Sequence, residues 1–232
     1  MAKGIIYVMT TAVPGLVKIG KTGSEQFEQR MYNLEHNGYR NVTALKRSFA
    51  IEVEDYDEKE SLLHTIFEKS RLADTELFAI DVNIVIQLLS SFDGNMIYPI
   101  AEKKDEVFEE AANNSQSKLI PNGIYTLKRK KKIENNRTIS ATAEIKNGSW
   151  MLKKGSKLGM VESAGVSKKA KIIRANMALD KDGQLLEDYD FGECAPSLVG
   201  DVVMFASVDG WTEWKNIEGK PVDIYRVKEK ED

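Results

Sequence analysis

One cysteine, Cys194, two histidines, His36 and His64, and five prolines are all that the 232 residues contain of these types. A lone cysteine cannot close an intrachain disulfide, and two histidines with one thiol cannot build a cysteine-rich or multi-histidine metal cage. Any metal must therefore be held mostly by oxygen. That points to a hard cation such as magnesium, whose sites take one or two carboxylates and leave the rest to water and substrate phosphate. No apolar run approaches the ~18 residues that a bilayer span requires. The amino terminus, one lysine before an apolar stretch broken by threonines and Pro14-Gly15, is a poor secretory signal, so the expected location is the cytoplasm, with no membrane partner.

Net charge is also scarce overall, 33 Lys+Arg against 36 Asp+Glu, yet it is unevenly spread. Residues 1–100 carry 10 cations against 14 anions, residues 123–160 carry 10 against 2, and residues 161–232 carry 10 against 15. A concentrated positive segment in an otherwise acidic chain is what a surface for polyanions would look like. Apolar residues at 42% and charged residues at 30% are ordinary for a globular protein, and the length suits two domains of about a hundred residues each.

The opening stretch predicts a hairpin, Ile5 to Met9 and Leu16 to Ile19 about a Pro14-Gly15 turn. Phe27, Met31 and Leu34 recur at helical spacing, with Ser24 to cap the start and Gly38 the end. Val42 to Val53 reads as a strand, and Asp55 to Ser70 as a helix with Leu62, Leu63, Ile66 and Phe67 on its buried stripe. A third helix is expected from Asp81 to Leu89, before the Asp93-Gly94 turn. Residues 101–122, charged and then polar, read as a linker with a short helix at its start. This divides the chain into 1–100, the linker and 123–232.

Beyond the linker, Ile139, Ala141, Ala143 and Ile145 alternate with polar residues, and Asn147-Gly148 leads to Trp150 and Leu152, a strong hairpin signal. Helices are expected near Ser167 to Leu179 and Ser197 to Ala206, followed by a tryptophan-bearing strand from Gly210. The fold class expected is α+β, with the second domain rich in hairpins.

Several polar side chains sit beside the apolar stripes of the first domain. Arg30 lies about 60° of helical arc from Phe27, and Glu60 lies just beyond Phe67 on its helix with His64 one turn further on. Rim positions of this kind can face a cleft, where an arginine and a carboxylate serve a phosphate and its metal. Taken singly, each residue also has an ordinary structural reading, as packing tyrosine or paired helix charge.

The ordered set Ile6-Tyr7, Lys18-Ile19-Gly20-Lys21-Thr22, Arg30, Glu60 with His64, Arg71 and Glu76-Leu77-Phe78 resembles a GIY-YIG nuclease domain over about residues 4–80. It is most similar to the phage-associated branch, whose second motif reads KIG. The resemblance implies a small α/β domain with a three-stranded antiparallel sheet that hydrolyses phosphodiester bonds, DNA being the expected substrate. By the same resemblance Tyr7 orients or deprotonates the attacking water, Arg30 stabilises phosphoryl charge, and Glu60 holds one divalent metal, Mg2+ or Mn2+. Lys18 stands where the wider superfamily has a tyrosine, and a lysine there polarises or neutralises. His64 either orients Glu60 or acts directly, and Arg71 with Glu76 reads as an ion pair supporting the last helix. The superfamily's late asparagine is matched by Asn83 or Asn95, left open between the two.

The second half, with Trp150-Met151-Leu152-Lys153-Lys154-Gly155-Ser156, Pro196-Ser197 and Asp209-Gly210-Trp211-Thr212-Glu213-Trp214-Lys215 followed by Gly219-Lys220, is similar to a domain of unknown function often found after GIY-YIG domains. Its own residues suggest nucleic-acid contact through Lys128, Arg129, Lys130, Lys131 and Lys132, with Lys21 as the cation from the first domain. A solubilising loop explains the run of cations equally well. Trp211 and Trp214 read as core anchors ahead of base-stacking platforms. A GIY-YIG module that binds nucleic acid or a protein partner without cutting is the alternative to an enzyme.

Overall fold

The computed structural model describes residues 2–36, 44–100 and 102–227. The chain divides into two compact units, Met1–Ala112 and Asn113–Asp232. In the first, β1 (Lys3–Thr10) and β2 (Leu16–Gly23) form the expected hairpin, in a register that sets Tyr7 opposite Gly20, Val8 opposite Ile19 and Met9 opposite Lys18. The helix α1 (Phe27–His36) follows, then β3 (Lys46–Glu54), α2 (Tyr56–Ile66), β4 (Leu77–Ala79), α3 (Val82–Ser90) and β5 (Asn95–Tyr98). All the strand pairs are antiparallel, in the order β4-β2-β1-β3-β5.

The sheet therefore has five strands instead of the expected three. The additional β4 and β5 are edge strands of three and four residues, too short for alternation to announce them. Central β1 is buried on both faces from Gly4 to Met9. Ile5, Tyr7 and Met9 meet Phe27, Met31 and Leu34 of α1, while Ile6 and Val8 meet Leu63 of α2 and Val85 and Leu89 of α3. Odd and even positions of one strand thus serve two cores, as a period of two requires.

Four local expectations change. Ser24 does not cap α1; a single 3-10 turn, Ser24–Gln26, intervenes, and the Ser24 hydroxyl donates to Glu52 Oε1 at 2.5 Å. The expected cap Gly38 and the start of the strand at Val42 lie outside the described residues, and β3 begins at Lys46. On α2, Leu62 and Ile66 are exposed, while Glu60, Leu63 and Phe67 are buried. The inward face is set by those last three, at i, i+3 and i+7, with Leu62 and Ile66 turned about 100° away from Leu63 and Phe67 respectively. Finally, most of the expected linker is helical: α4 (Lys104–Ser117) places Val107 and Ala111, one turn apart, in the first unit's core.

The second unit is a four-stranded antiparallel sheet, β6 (Gly123–Lys131), β7 (Arg137–Lys146), β8 (Ser149–Leu152) and β9 (Tyr189–Glu193), in that order. The β7–β8 turn has Asn147 and Gly148 both at positive φ, 50° and 80°, the geometry that an Asn-Gly pair adopts most cheaply. Ile139, Ala141, Ala143, Ile145, Trp150 and Leu152 face a core completed by Val199, Val202 and Val203 of α6 (Pro196–Met204). The preceding helix, α5 (Lys168–Ala175), is capped by Ser167, whose hydroxyl accepts from the Ala170 amide at 3.1 Å. Gly210 opens not a strand but the short helix α7 (Gly210–Glu213), because the Asp209 carboxylate accepts from the Trp211 amide at 3.1 Å and starts a helical turn. Trp211 and Trp214 are both buried, the latter's ring 5.3 Å from that of Trp150, so neither presents a face for stacking on a base.

Within α6, burial pushes the Asp201 carboxyl up from its ordinary 3.8 to about 6, opposed only in part by its hydrogen bond from the Val208 amide. Folding therefore retains a proton that the unfolded chain releases between those values, and Asp201 makes the folded state less stable as pH rises through that window. All three tryptophans lie in this unit, so their fluorescence reports its unfolding. Asp201→Asn is expected to remove this one contribution, so that the denaturant midpoint of the wild type falls relative to that of the variant between pH 4 and 6.

Candidate active site

The β1–β2 register places Tyr7 and Lys18 on the sheet face covered by α1, and Lys21 on the face covered by α2, because residues alternate along β2. Tyr7 is fully buried. Opposite it Gly20 leaves room for the phenol: a Cβ there would lie 2.7 Å from the Tyr7 hydroxyl. The glycine of the second motif is thus required by the tyrosine of the first. Arg30, on the exposed side of α1, donates from Nε to the Tyr7 oxygen at 3.3 Å. Burial raises the Tyr7 pKa, Arg30 works against that rise, and Glu76 and Glu60 add to it. The phenol is therefore protonated at neutral pH.

On the other face Glu60 is buried, with Lys21 Nζ 3.2 Å from one carboxylate oxygen and His64 Nε2 3.5 Å from the other. The same histidine nitrogen lies 3.4 Å from the Ile19 carbonyl, and its ring packs against Phe78 at 5.0 Å. Lys21 also reaches Asp57 at 2.9 Å, and that hydrogen bond raises its pKa more than its slight burial lowers it.

The two faces communicate around an edge. Strand β4 pairs with only Leu16, Val17 and Lys18 of β2, and one further bond runs from the Ile19 amide to the Glu76 carbonyl at 3.1 Å. Beyond that point no β4 residue pairs with β2. There Tyr7, Lys18 and Arg30 come from one face and Glu60, His64 and Lys21 from the other, and the charges of Arg30, Glu60 and Glu76 all act on Tyr7. A cleft of about 450 Å³ opens beside Lys18 and Arg30, lined also by Asp74, Glu76, Leu34, Leu45 and Leu77 among others; Tyr7, Glu60, His64 and Lys21 do not line it. Tyr7, Lys18 and Arg30 thus gather on one face and Glu60 and His64 on the other, the two groups within electrostatic reach of each other. Two partners were not legible in the sequence: Glu76, which forms an ion pair with Lys18, and Asp57, which pairs with Lys21. The expected Arg71–Glu76 pair is not made; Arg71 Nε donates instead to the Thr75 carbonyl at 2.6 Å.

The donor set suits a hydrated hard cation. Among the described residues no three His, Cys, Asp or Glu side chains converge as a cage. Glu60 nevertheless offers one buried carboxylate, paired with Lys21, and magnesium needs only one or two carboxylates when water and phosphate complete its shell.

The basic run of the second unit is divided by strand alternation. Lys128, Lys130 and Lys132 are exposed. Arg129 is engaged with Glu213 at 2.5 Å. Lys131 points inward: its ammonium donates to the carbonyls of Met204, at 2.5 Å, and Phe205, at 3.3 Å, and to that of Val161, and it pairs with Glu134 at 3.1 Å. Burial lowers its pKa against the opposing pull of Glu134. It closes the carbonyl end of α6 and is corrected here from nucleic-acid contact to structural cation, since a side chain spent on three carbonyls is withheld from phosphate.

Residues 4–93 match the family model of the T5orf172 domain, a nuclease-like family with a GIY-YIG-related fold, and residues 131–226 match the model of DUF4357, a domain of unknown function. No curated protein and no solved structure matches the chain. Among the described residues no helix is long and apolar enough to cross a membrane.

Lys131→Ser is expected to destabilise the second unit by about 3 kcal/mol, because it takes the cation from the buried Glu134 side chain and the donor from the α6 carbonyls. Lys130→Ser is expected to leave the tryptophan-monitored midpoint unchanged.

Proposed function

We propose that this chain is a metal-dependent endonuclease of the GIY-YIG type that hydrolyses phosphodiester bonds in DNA, with the second unit holding the nucleic acid. The observation that supports it is the pair of charged clusters flanking β2, Tyr7 with Lys18 and Arg30 on one face and Glu60 with His64 on the other, within electrostatic reach of each other. Phosphodiester hydrolysis is slow because the anion repels its nucleophile, so a site must supply fixed cations and a positioned water.

Arg30, exposed over the cleft, and Lys18 at its wall are placed to neutralise charge growing on the phosphoryl oxygens. Tyr7, protonated at neutral pH, orients through its hydroxyl and through Arg30 in preference to abstracting a proton. Glu60 would hold Mg2+ or Mn2+, which when bound supplies charge neutralisation on phosphate and lowers the pKa of water. His64, against both Glu60 and the Ile19 carbonyl, fixes the carboxylate's direction. Lys21, paired with Asp57 and Glu60, would have to exchange one of these partners to reach a neighbouring phosphate.

A second reading, a module that binds DNA without cutting it, is favoured by one observation: the phenol of Tyr7 has no exposed surface. Cleavage of supercoiled plasmid and of labelled single and double strands, with and without magnesium, separates the two. Magnesium-dependent cleavage supports the enzyme, and retained salt-sensitive binding with no cleavage on any substrate supports the module.

For the enzyme, Glu60→Ala is expected to slow cleavage at least ~100-fold, equivalent to ~2.7 kcal/mol of transition-state stabilisation. A variant that kept the wild-type rate and metal requirement would remove Glu60 from the site. Replacing Lys128, Lys130 and Lys132 together by serine is expected to weaken DNA binding and reduce the log-log salt slope by ~2.7, at ~0.9 per phosphate contact. Single-turnover cleavage at saturating protein should not change.

A further inference from the structure

We propose that Glu76 is a positioning residue of this site, holding the Lys18 ammonium at the wall of the cleft; the inference rests on the nuclease reading above. Its backbone is pinned before its side chain acts. The Glu76 carbonyl accepts from the Ile19 amide at 3.1 Å, and Leu77 pairs with Lys18 across β4 and β2. The turn leading to it is closed by the Leu72 amide to the Leu77 carbonyl at 2.9 Å, by the Thr75 hydroxyl to the Leu72 carbonyl at 2.8 Å, and by Arg71 Nε to the Thr75 carbonyl. The Cα of Glu76 is thereby held beside Lys18, and the ion pair fixes where its carboxylate ends.

Lysine is the opposite case, a point charge on a flexible four-carbon stem. The Lys18 side chain is only 12% exposed, and its ammonium ends in the ion pair with Glu76. Burial pushes the Glu76 carboxyl up, but the Lys18 hydrogen bond and charge, with Arg30 and His64 behind them, outweigh that and leave it below the ordinary carboxylate range. Glu76 is thus one of two carboxylates, with Asp74, that face the cations Lys18 and Arg30 in the cleft, and its charge by itself repels a phosphate. Its place there is explained if it fixes where one of those cations points. A group misplaced by ~1 Å can cost up to ~100-fold in rate, so the restriction of one ammonium is worth the local negative charge. Glu76 acts through Lys18 and does not itself touch the reacting atoms.

The test is a double-mutant cycle in the full chain with single-turnover magnesium-dependent cleavage of labelled DNA, using Glu76→Gln, Glu76→Asp, Lys18→Met and the Glu76→Gln/Lys18→Met pair. Glu76→Gln is expected to lower the cleavage rate constant about tenfold while the half-saturating concentration moves less than about twofold, since orientation and not binding is lost. Glu76→Asp, keeping the charge, should recover part of the loss. The double variant should be no slower than Lys18→Met alone. Glu76→Gln cleaving at the wild-type rate, no gain from Asp over Gln, or losses that multiply in the double variant would each overturn the role of Glu76 while leaving the nuclease standing. A wild type that cleaves nothing would overturn the nuclease reading and this inference with it.

Discussion

The register of β1 against β2 is the constraint on which the first unit depends. Because Tyr7 lies opposite Gly20, the phenol has room, and because side chains alternate, the same register sends Lys18 to one face and Lys21 to the other. A slip of one residue would exchange these faces and set a side chain where Tyr7 now lies. The apolar demands of the two cores hold the register in place: Ile5, Tyr7 and Met9 are buried against α1, Ile6 and Val8 against the opposite layer.

From that register follows a site assembled across an edge. The short β4 covers β2 only as far as Lys18, and from there to Gly23 β2 is paired on one side alone, with β1. Charges from opposite faces then act on one another through the gap instead of being separated by the sheet. Two ion pairs form there, Lys18 with Glu76 and Lys21 with Glu60, while Arg30 hydrogen-bonds the neutral phenol of Tyr7. Such pairing stabilises partly buried charges that would each be costly alone.

The second unit obeys a different economy. Its core is built on three tryptophans and a small-residue sheet face, and it spends two cations internally. Lys131 and Arg174 both turn inward to backbone carbonyls around α6, Arg174 reaching Gly159 and, at 3.4 Å, Val202; burial lowers its pKa to about 10. A run that reads as five uniform cations is thus divided into exposed and structural members by the period of the strand that carries it. Charge counting sees the run, whereas strand alternation assigns its uses.

What the sequence determined by itself is what depends on near neighbours: the two hairpins, whose Pro-Gly and Asn-Gly turns and alternating strands are local signals, the helices with periodic apolar stripes, and the ordered motif set that named Tyr7, Lys18, Arg30, Glu60 and His64. Tertiary structure decided what depends on distant pairing. It added β4 and β5, too short to show a pattern, and it rotated α2 so that Glu60 took a buried place that composition would have given to Leu62. It also turned Gly210 into a helix start and gave Glu76 to Lys18, 58 residues away in the chain, and not to Arg71. No local rule carries that last choice, because an ion pair is set by where two backbones meet, and here they meet only once β4 has found the edge of β2.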